Sequence, residues 1–532
     1  MKSIRVLDCT LRDGGLVDGV NCWFGRGVLN SIYQRLDAAR IDIIEVGFLD
    51  DKKTFSIDKT EVPHSRDFEK LIKFKEKRNA MVVGMCMLPV VSEKMIDNIE
   101  DKSKCILDAI RVVFQKHQID YAYDFCKKLI AKGYKIFIQP AMINKYSPEE
   151  AAAMVKKFNS LKPYAISMVD TYGLMHRKDL FDMYDVFAKN SSPQVAIGYH
   201  SHNNFQLAYA NAIELMQYCK DRDLIIDTSV YGMGKRSGNA HTELVAAFLN
   251  RNYGTNYDVG QILEIIDLEI LALHEKYRWG YSLVDFIAAS HDRYYGYVEY
   301  LLKKKVLSMN AIHEIILKIP EEKKTAFDKE LIEKLFFEYQ NNIVNDTEAY
   351  AGLAAKIKDK NILILAPGPS LVKQEKKIQD YIAKNKPVVF AINLVPETYK
   401  PNYVFVSNSR RYNQLIYDLL ERNSAKLIVT SNITSADKAP KIVFNFAKLR
   451  IDVEDISDNA ALLLMEILET AGVEKVAIAG FDGFEEGKDN YSGGYNALCE
   501  INNAQGHNEK IIKYLKNNNK LKLDFLTESK YK

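Results

Sequence analysis

Short apolar runs rich in β-branched residues alternate with longer amphipathic stretches from the start of the chain to about residue 252, the pattern of repeated βα units. Eight strands are predicted, at 4–10, 41–48, 80–88, 109–114, 135–140, 165–170, 195–200 and 224–229. Between them, 28–40, 121–132, 148–161, 178–188 and 206–219 carry apolar residues three and four apart and predict helices. Ser147, ahead of Pro148, Glu149 and Glu150, predicts an N-cap with an acidic first turn. Eight such units in about 250 residues match a closed (β/α)8 TIM barrel, with an open doubly wound sheet as the alternative. Polar residues favour the barrel. Asp13, Glu45, Asp170, His200, His202 and Asn239 all fall at or just beyond C-terminal strand ends, which a barrel gathers at one mouth.

Strand signals then vanish, and 261–276, 283–305 and 310–317 read as helices with apolar stripes. A second βα series follows, with strands predicted at 361–366, 388–392, 403–407, 426–430, 441–444, 475–479 and 521–526, which suggests an open Rossmann-like sheet. The expected organisation is a barrel over 1–255, a helical extension covering it over 256–345, a connector at 346–360 and a Rossmann-like α/β domain over 361–532.

Composition adds mainly exclusions. Of 532 residues, 47% are apolar and 27% charged, an ordinary globular balance. Lys and Arg number 73 against 70 Asp and Glu, a net charge of +3, so no global field favours nucleic acid or anionic lipid. No secretion signal and no apolar run of membrane-spanning length is found, and the expected location is cytoplasmic. The seven cysteines (Cys9, Cys22, Cys86, Cys105, Cys126, Cys219 and Cys499) are odd in number and never spaced as CxxC; they read as reduced, mostly buried thiols.

Two segments carry the chemistry of the first half. In IGYHSHNN, His200 and His202 are two apart on a strand end, so both imidazoles face one side. Such a pair also arises by chance and carries little weight alone. In LDCTLRDGG, residues 7–15, Arg12 and Asp13 stand beside Gly14 and Gly15, whose freedom at positive φ predicts a sharp turn close to a ligand. A carboxylate with two imidazoles is a common facial set for a divalent metal, with positions left for substrate and water.

LDCTLRDGG, the DTYG of 170–173, HSHNN and the YGMGKRSGNAHTE of 231–243 together resemble the successive signatures of the DRE-TIM metallolyases. That superfamily includes 4-hydroxy-2-oxovalerate aldolase, hydroxymethylglutaryl-CoA lyase and the isopropylmalate and homocitrate synthases. The resemblance implies that Asp13, His200 and His202 bind a divalent metal, Mn2+ or Mg2+ first and Zn2+ or Co2+ as alternatives, with Asn239 as an additional ligand. It places Arg12 beside the substrate oxygen, Glu45 as a pocket acid orienting Arg12 or a water, and Asp170 as support for a ligating imidazole. The chemistry implied makes or breaks a C–C bond next to a carbonyl, with a 2-oxo acid and an aldehyde as substrates. A homo-oligomer is expected from related barrels.

Departures narrow the branch. The glycine loop GMGKRSGN lacks the cysteine of the hydroxymethylglutaryl-CoA lyases, and Gly15, Leu16, Val17 and Asp18 replace the segment where the oxovalerate aldolases carry a catalytic histidine. His291, in the SHDRYYGYVEYLL of 290–302, is the candidate replacement as general acid or base.

In the second series, LILAPGPSL puts a Gly/Pro/Ser turn between a strand and a helix, where backbone N–H groups and Ser370 are expected to hold a phosphate. With FAINLV, FVSNSRR and IAGFDGF it is similar to GPSL-containing domains of sialyltransferase-like and pterin-pyrophosphokinase-like proteins. That resemblance implies a nucleotide or nucleotide sugar near Gly368, Ser370, Asn393, Asn408 and Asp482, and by association a role in bacterial polysaccharide biosynthesis. The leading expectation is a metal-dependent aldolase. The alternatives are an acyl-CoA/2-oxo acid Claisen-type synthase and a nucleotide-sugar transferase whose barrel is a scaffold.

Overall fold

The computed structural model describes residues 3–304, 306–324, 326–396, 398–422, 425–433, 440–453, 456–488, 490–492 and 503–532. Eight parallel strands form the first sheet: β1 (Ile4–Asp8), β2 (Ile43–Leu49), β3 (Met81–Met87), β4 (Ala109–Phe114), β5 (Lys135–Pro140), β6 (Ala165–Asp170), β7 (Ala196–Ser201) and β8 (Leu224–Thr228). Each pairs with its successor, and β1 pairs with both β8 and β2, so the sheet closes into a barrel. A two-residue strand, Glu61–Val62, lies beside β2. Every residue of β2, β6, β7 and β8 is buried, which is why these strands read as near-continuous apolar runs. Val6, Ile44, Val82, Ile110 and Ile138 point outward into a core under the helices, and Leu7, Ile43, Val83, Ala109 and Ile225 point inward as a plug.

The helix Pro148–Asn159 starts as its sequence dictates: Ser147 Oγ accepts the Glu150 N–H at 3.2 Å, and the Ser147 N–H donates to Glu150 Oε2 at 2.8 Å. The helix expected at 261–276 runs as Val259–Ile265 and Leu271–Lys276 joined through a π turn, Ile266–Ile270. The one expected at 283–305 is interrupted, with Leu283–Ser290 and Tyr295–Lys303 separated by Asp292 at φ 51°.

Compactness divides the chain into Met1–Ser290 and His291–Lys532, inside the stretch expected as one helical cover. In the second unit a seven-stranded parallel sheet comprises β9 (Ile362–Leu365), β10 (Val388–Ile392), β11 (Tyr403–Val406), β12 (Lys426–Thr430), β13 (Lys441–Phe444), β14 (Lys475–Ala479) and β15 (Lys522–Phe525). Their order is β13-β12-β11-β10-β9-β14-β15. Residues expected as a connector form the helix Thr347–Ile357, whose Leu353 and Ile357 pack into this unit's core. Among the described residues no helix is long and apolar enough to cross a membrane. Six cysteines are free and buried; Cys499 lies outside the described residues.

Candidate active site

Two residues beyond the apolar plug, the barrel interior turns polar. Ile43 is followed by Glu45, Ala109 by Arg111, Phe137 by Gln139, Ala165 by Ser167 and Ile225 by Asp227, each buried. One step further, at the mouth, stand His200 and, from the helical turn Thr10–Asp13 after β1, Arg12 and Asp13. Ligand atoms of Asp13, His200 and His202 all lie within 4.8 Å of one another.

Each imidazole is oriented by its far nitrogen. His200 Nδ1 lies 3.0 Å from Asp227 Oδ2, and His202 Nδ1 lies 3.1 Å from the Gly238 carbonyl oxygen. With Nδ1–H donating to these acceptors, Nε2 of each ring keeps its lone pair for a metal. Burial pushes the His202 pKa down to about 4 against the pull of Asp13, so its imidazole is neutral at pH 7. Burial would raise the Asp13 carboxyl, but Arg12, His202 and His200 hold it well below the usual carboxylate range. The Asn239 amide donates to Asp13 Oδ2, and its Oδ1 is buried without a partner. That orphaned oxygen, a charged carboxylate and two imidazoles fit a hard or borderline divalent cation.

Behind these groups runs a continuous buried chain of charges. Arg12 donates from Nη1 to Asp13 Oδ1 and from Nε to Glu45 Oε2, both at 2.7 Å. Arg111 donates from Nη1 to the same Glu45 oxygen at 2.8 Å and from Nη2 to Asp227 Oδ2, the oxygen that meets His200. Desolvation would lower the Arg12 pKa, but the Glu45 and Asp13 carboxylates raise it, so the guanidinium stays charged. Its Nη2 has no protein acceptor among the described residues. Glu45 Oε2 thus lies between the two guanidiniums, accepting from both.

Several expectations meet a different arrangement. Gly14 adopts φ −59°, and neither Gly14 nor Gly15 has positive φ. What they supply is space, since a Cβ on Gly14 would lie 2.8 Å from Met233 Sδ and one on Gly15 2.9 Å from Cys22 Sγ. The Asp170 carboxylate meets neither imidazole; it accepts the backbone N–H groups of Leu174 and Met175, both at 3.0 Å, and so shapes the DTYG turn, while the Asp170 carbonyl accepts the His202 N–H at 3.2 Å. Register explains this. Val169 pairs with His200 and Asp170 with Ser201, so Asp170 points to the other face of the sheet from His200. Extending the Tyr199–Ile226 pair by one residue sets His200 across from Asp227, which does the imidazole-supporting work. Arg111 and Asp227 were missed by sequence reasoning; the available signal was a lone charge two residues beyond a core position in AIRVVF and LIIDTS.

Residues 3–268 match the HMGL-like family. The chain belongs to that family. Its N-terminal half is 28% identical over 269 residues to a 4-hydroxy-2-oxovalerate aldolase from Geobacillus genomosp. 3, covering 49% of this chain and 75% of the relative. An oxaloacetate decarboxylase from Mycobacterium tuberculosis is 27% identical over 269 residues, 50% of this chain and 76% of that protein. The solved HMG-CoA lyase from Brucella melitensis aligns with a TM-score of 0.43 at 17% identity, covering 52% of this chain and 100% of that one.

Around the HMGL-like mouth, the segment after Tyr277 braces two loops. Trp279 Nε1 donates to the Tyr231 carbonyl at 3.1 Å, the Gly280 N–H donates to the Arg236 carbonyl at 2.9 Å, and Asp285 receives the Arg236 guanidinium. Asn204 donates to the Asp285 carbonyl at 3.2 Å. His291 belongs to the second unit, where its Nε2 lies 2.9 Å from His313 Nδ1.

In that unit Gly368, Asn393, Asn408 and Asp482 line one cavity of about 540 Å³. Ser370 is engaged otherwise. Its N–H donates to Asp482 Oδ2 at 2.7 Å, and its hydroxyl meets Asp482 Oδ1 and Thr527 Oγ1. A carboxylate therefore already occupies the turn where a phosphate was expected.

Proposed function

We propose that the barrel is a divalent-metal-dependent carbon–carbon lyase acting on a 2-oxo acid through its enolate, with aldol cleavage or condensation as the reaction. The observation that carries this is the convergence of Asp13, His200, His202 and the unpartnered Asn239 Oδ1 beside a charged Arg12. The substrates named by the aldolase and decarboxylase relatives share a feature: the bond that breaks lies between C3 and C4 of a 2-oxo acid. Breaking it leaves an electron pair on C3 that delocalises onto the C2 oxygen.

The chain's own residues are suited to that charge. A metal held by Asp13, His200 and His202, with Asn239 as a further donor, supplies Lewis acidity toward the oxygens of a chelating 2-oxo acid. Arg12, fixed through Nε and Nη1, offers Nη2 to the C2 oxygen as negative charge develops there. Glu45 and Arg111 keep that guanidinium from swinging away, at no reorganisation cost during the reaction. Asp227 and the Gly238 carbonyl keep both imidazoles in the tautomer that binds metal.

The test is proton exchange at the pyruvate methyl group in deuterium oxide, followed by NMR, with Mn2+ or Mg2+ added to metal-free protein. Metal-dependent exchange that Arg12→Ala abolishes is expected. Folded, metal-loaded protein that exchanges no faster than buffer refutes the proposal.

A further inference from the structure

The strand order of the second sheet reverses between β9 and β14, so the chain segments leaving these neighbours diverge and open a crevice at the C-terminal ends of the strands. Parallel α/β sheets bind ligands at such a point. The cavity of about 540 Å³ lies there, reached by Ala366–Gly368 after β9, Asn393 after β10, Asn408 after β11 and Gly480–Phe484 after β14, and all its described lining residues belong to the second unit.

Its electrostatics favour an anion, away from the turn at Ser370. Five cationic side chains line it, Lys303, Lys304, Arg410, Arg411 and Lys510, against two carboxylates, Asp458 and Asp482. Among the described residues Lys303 and Arg410 have no carboxylate at ion-pair distance. Arg411 is buried, its guanidinium 5.0 Å from the Tyr491 ring centre. Three helices of eleven residues or more, Ser409–Arg422, Ala460–Thr470 and Ala504–Asn518, start at this cavity. Each is capped by a neutral amide: Asn408 accepts the Arg411 N–H at 2.9 Å, Asn459 the Ala461 N–H at 3.1 Å and Asn503 the Gly506 N–H at 3.0 Å. Asp458 precedes the cap of the second helix and Glu486 Oε1 accepts the Ala504 N–H of the third at 3.3 Å, whereas the neutral cap of Ser409–Arg422 leaves its positive end to the cavity. By contrast the turn at Ser370 is neutralised by Asp482. The cavity also presents acceptors, since Asn393 Oδ1 is buried without a partner.

We propose that this cavity binds a phosphorylated small molecule that also carries hydroxyl or amino groups. The phosphate lies against Arg410, Arg411, Lys303 and Lys510, and the donor groups of the ligand face Asn393 Oδ1 and Asp482. The Gly/Pro/Ser turn shapes the wall and holds no phosphate. This assignment is independent of the barrel chemistry.

The experiment uses the full chain, freed of metal with a chelator and dialysed, so that a barrel metal does not sequester the probes. Inorganic pyrophosphate and ribose 5-phosphate are titrated by calorimetry. Saturable binding of both is expected, weakened about tenfold or more in Arg410→Gln/Lys510→Gln, each lost charge-assisted contact accounting for that order. Lys303→Gln, at an exposed position, is expected to weaken it several-fold should the double variant fold poorly. Ser370→Ala is expected to bind within twofold of wild type. Absence of saturable binding at millimolar probe, wild-type affinity in the folded charge variants, or loss of binding in folded Ser370→Ala would each overturn the assignment.

Discussion

Asp227→Ala tests how the buried charge chain works, because one oxygen, Oδ2, accepts from both His200 Nδ1 and Arg111 Nη2. Truncation removes two charge-assisted hydrogen bonds and leaves Arg111 with Glu45 alone. Breaking a buried ion pair on one side costs about 3 kcal/mol or more of stability. The second effect is local. Without an acceptor at Nδ1, the His200 ring is free to rotate and to place its proton on Nε2, and loss of such an outer partner lowers metal affinity about 10- to 100-fold. Asp227→Asn can keep an oxygen at the Oδ2 position, so it is expected to lose about tenfold, the lower end of that range.

Two readouts separate these effects. Both tryptophans, Trp23 and Trp279, lie in the first unit, so their fluorescence in urea reports barrel unfolding. Metal affinity is read by Mn2+ titration monitored by electron paramagnetic resonance. The double variant Arg111→Met/Asp227→Ala removes the stranded cation and is expected to regain most of the lost stability, because no buried charge is left uncompensated. It is not expected to regain metal affinity. Wild-type Mn2+ affinity in Asp227→Ala, or affinity that returns together with stability in the double variant, refutes a direct role for Asp227 in orienting His200.

Three further outcomes are expected. A Cβ at Gly234 would lie 2.6 Å from Asp13 Oδ2 and closer still to Asn239 Nδ2, so Gly234→Ala displaces a group of the proposed metal site; Mn2+ affinity is expected to fall at least about tenfold while circular dichroism is unchanged. Burial raises the Asp8 pKa from 3.8 to about 6, so between those pH values the unfolded chain releases a proton that the folded barrel keeps. The stability contribution is complete below about pH 4 and is lost as pH rises through 6, by about 3 kcal/mol at 1.36 kcal/mol per pKa unit. In Asp8→Asn the urea midpoint loses that part of its slope between pH 4 and 6; an unchanged slope sinks the assignment. Ser147→Ala removes the acceptor for the Glu150 N–H and is expected to cost about 1 kcal/mol with Mn2+ affinity intact, which checks that stability loss alone does not mimic a site defect.

What could be read from the sequence divides along the physics of burial. Strands β4, β5 and β6, with β10, β12, β13 and β14, span the residues predicted for them; in all but the edge strand β13, most of whose residues are only partly buried, cover on both faces admits few polar residues, so the limits show as composition. The cluster that could hold a metal was legible for a related reason: Asp13, His200 and His202 are charged or polar groups at the ends of such runs, where a barrel exposes them to its mouth. Inside a strand the same logic fails, since a charge in AIRVVF reads as an exception to a buried run, and its partners come from strands far along the chain. Arg111 is tolerable only because Glu45 and Asp227 reach it across the barrel, 66 and 116 residues away in sequence. The choice between Asp170 and Asp227 shows the limit most sharply. Asp170 ends one strand adjacent to β7 and Asp227 is next to the end of the other, and both are buried carboxylates. Which of them serves His200 depends on a one-residue register that composition does not carry, because a shift of one reverses the face to which every side chain points. The observed register sends Asp170 to the backbone of its own turn and Asp227 into the barrel, and through that single parity the imidazole, Arg111, Glu45 and Arg12 become one connected support for the site.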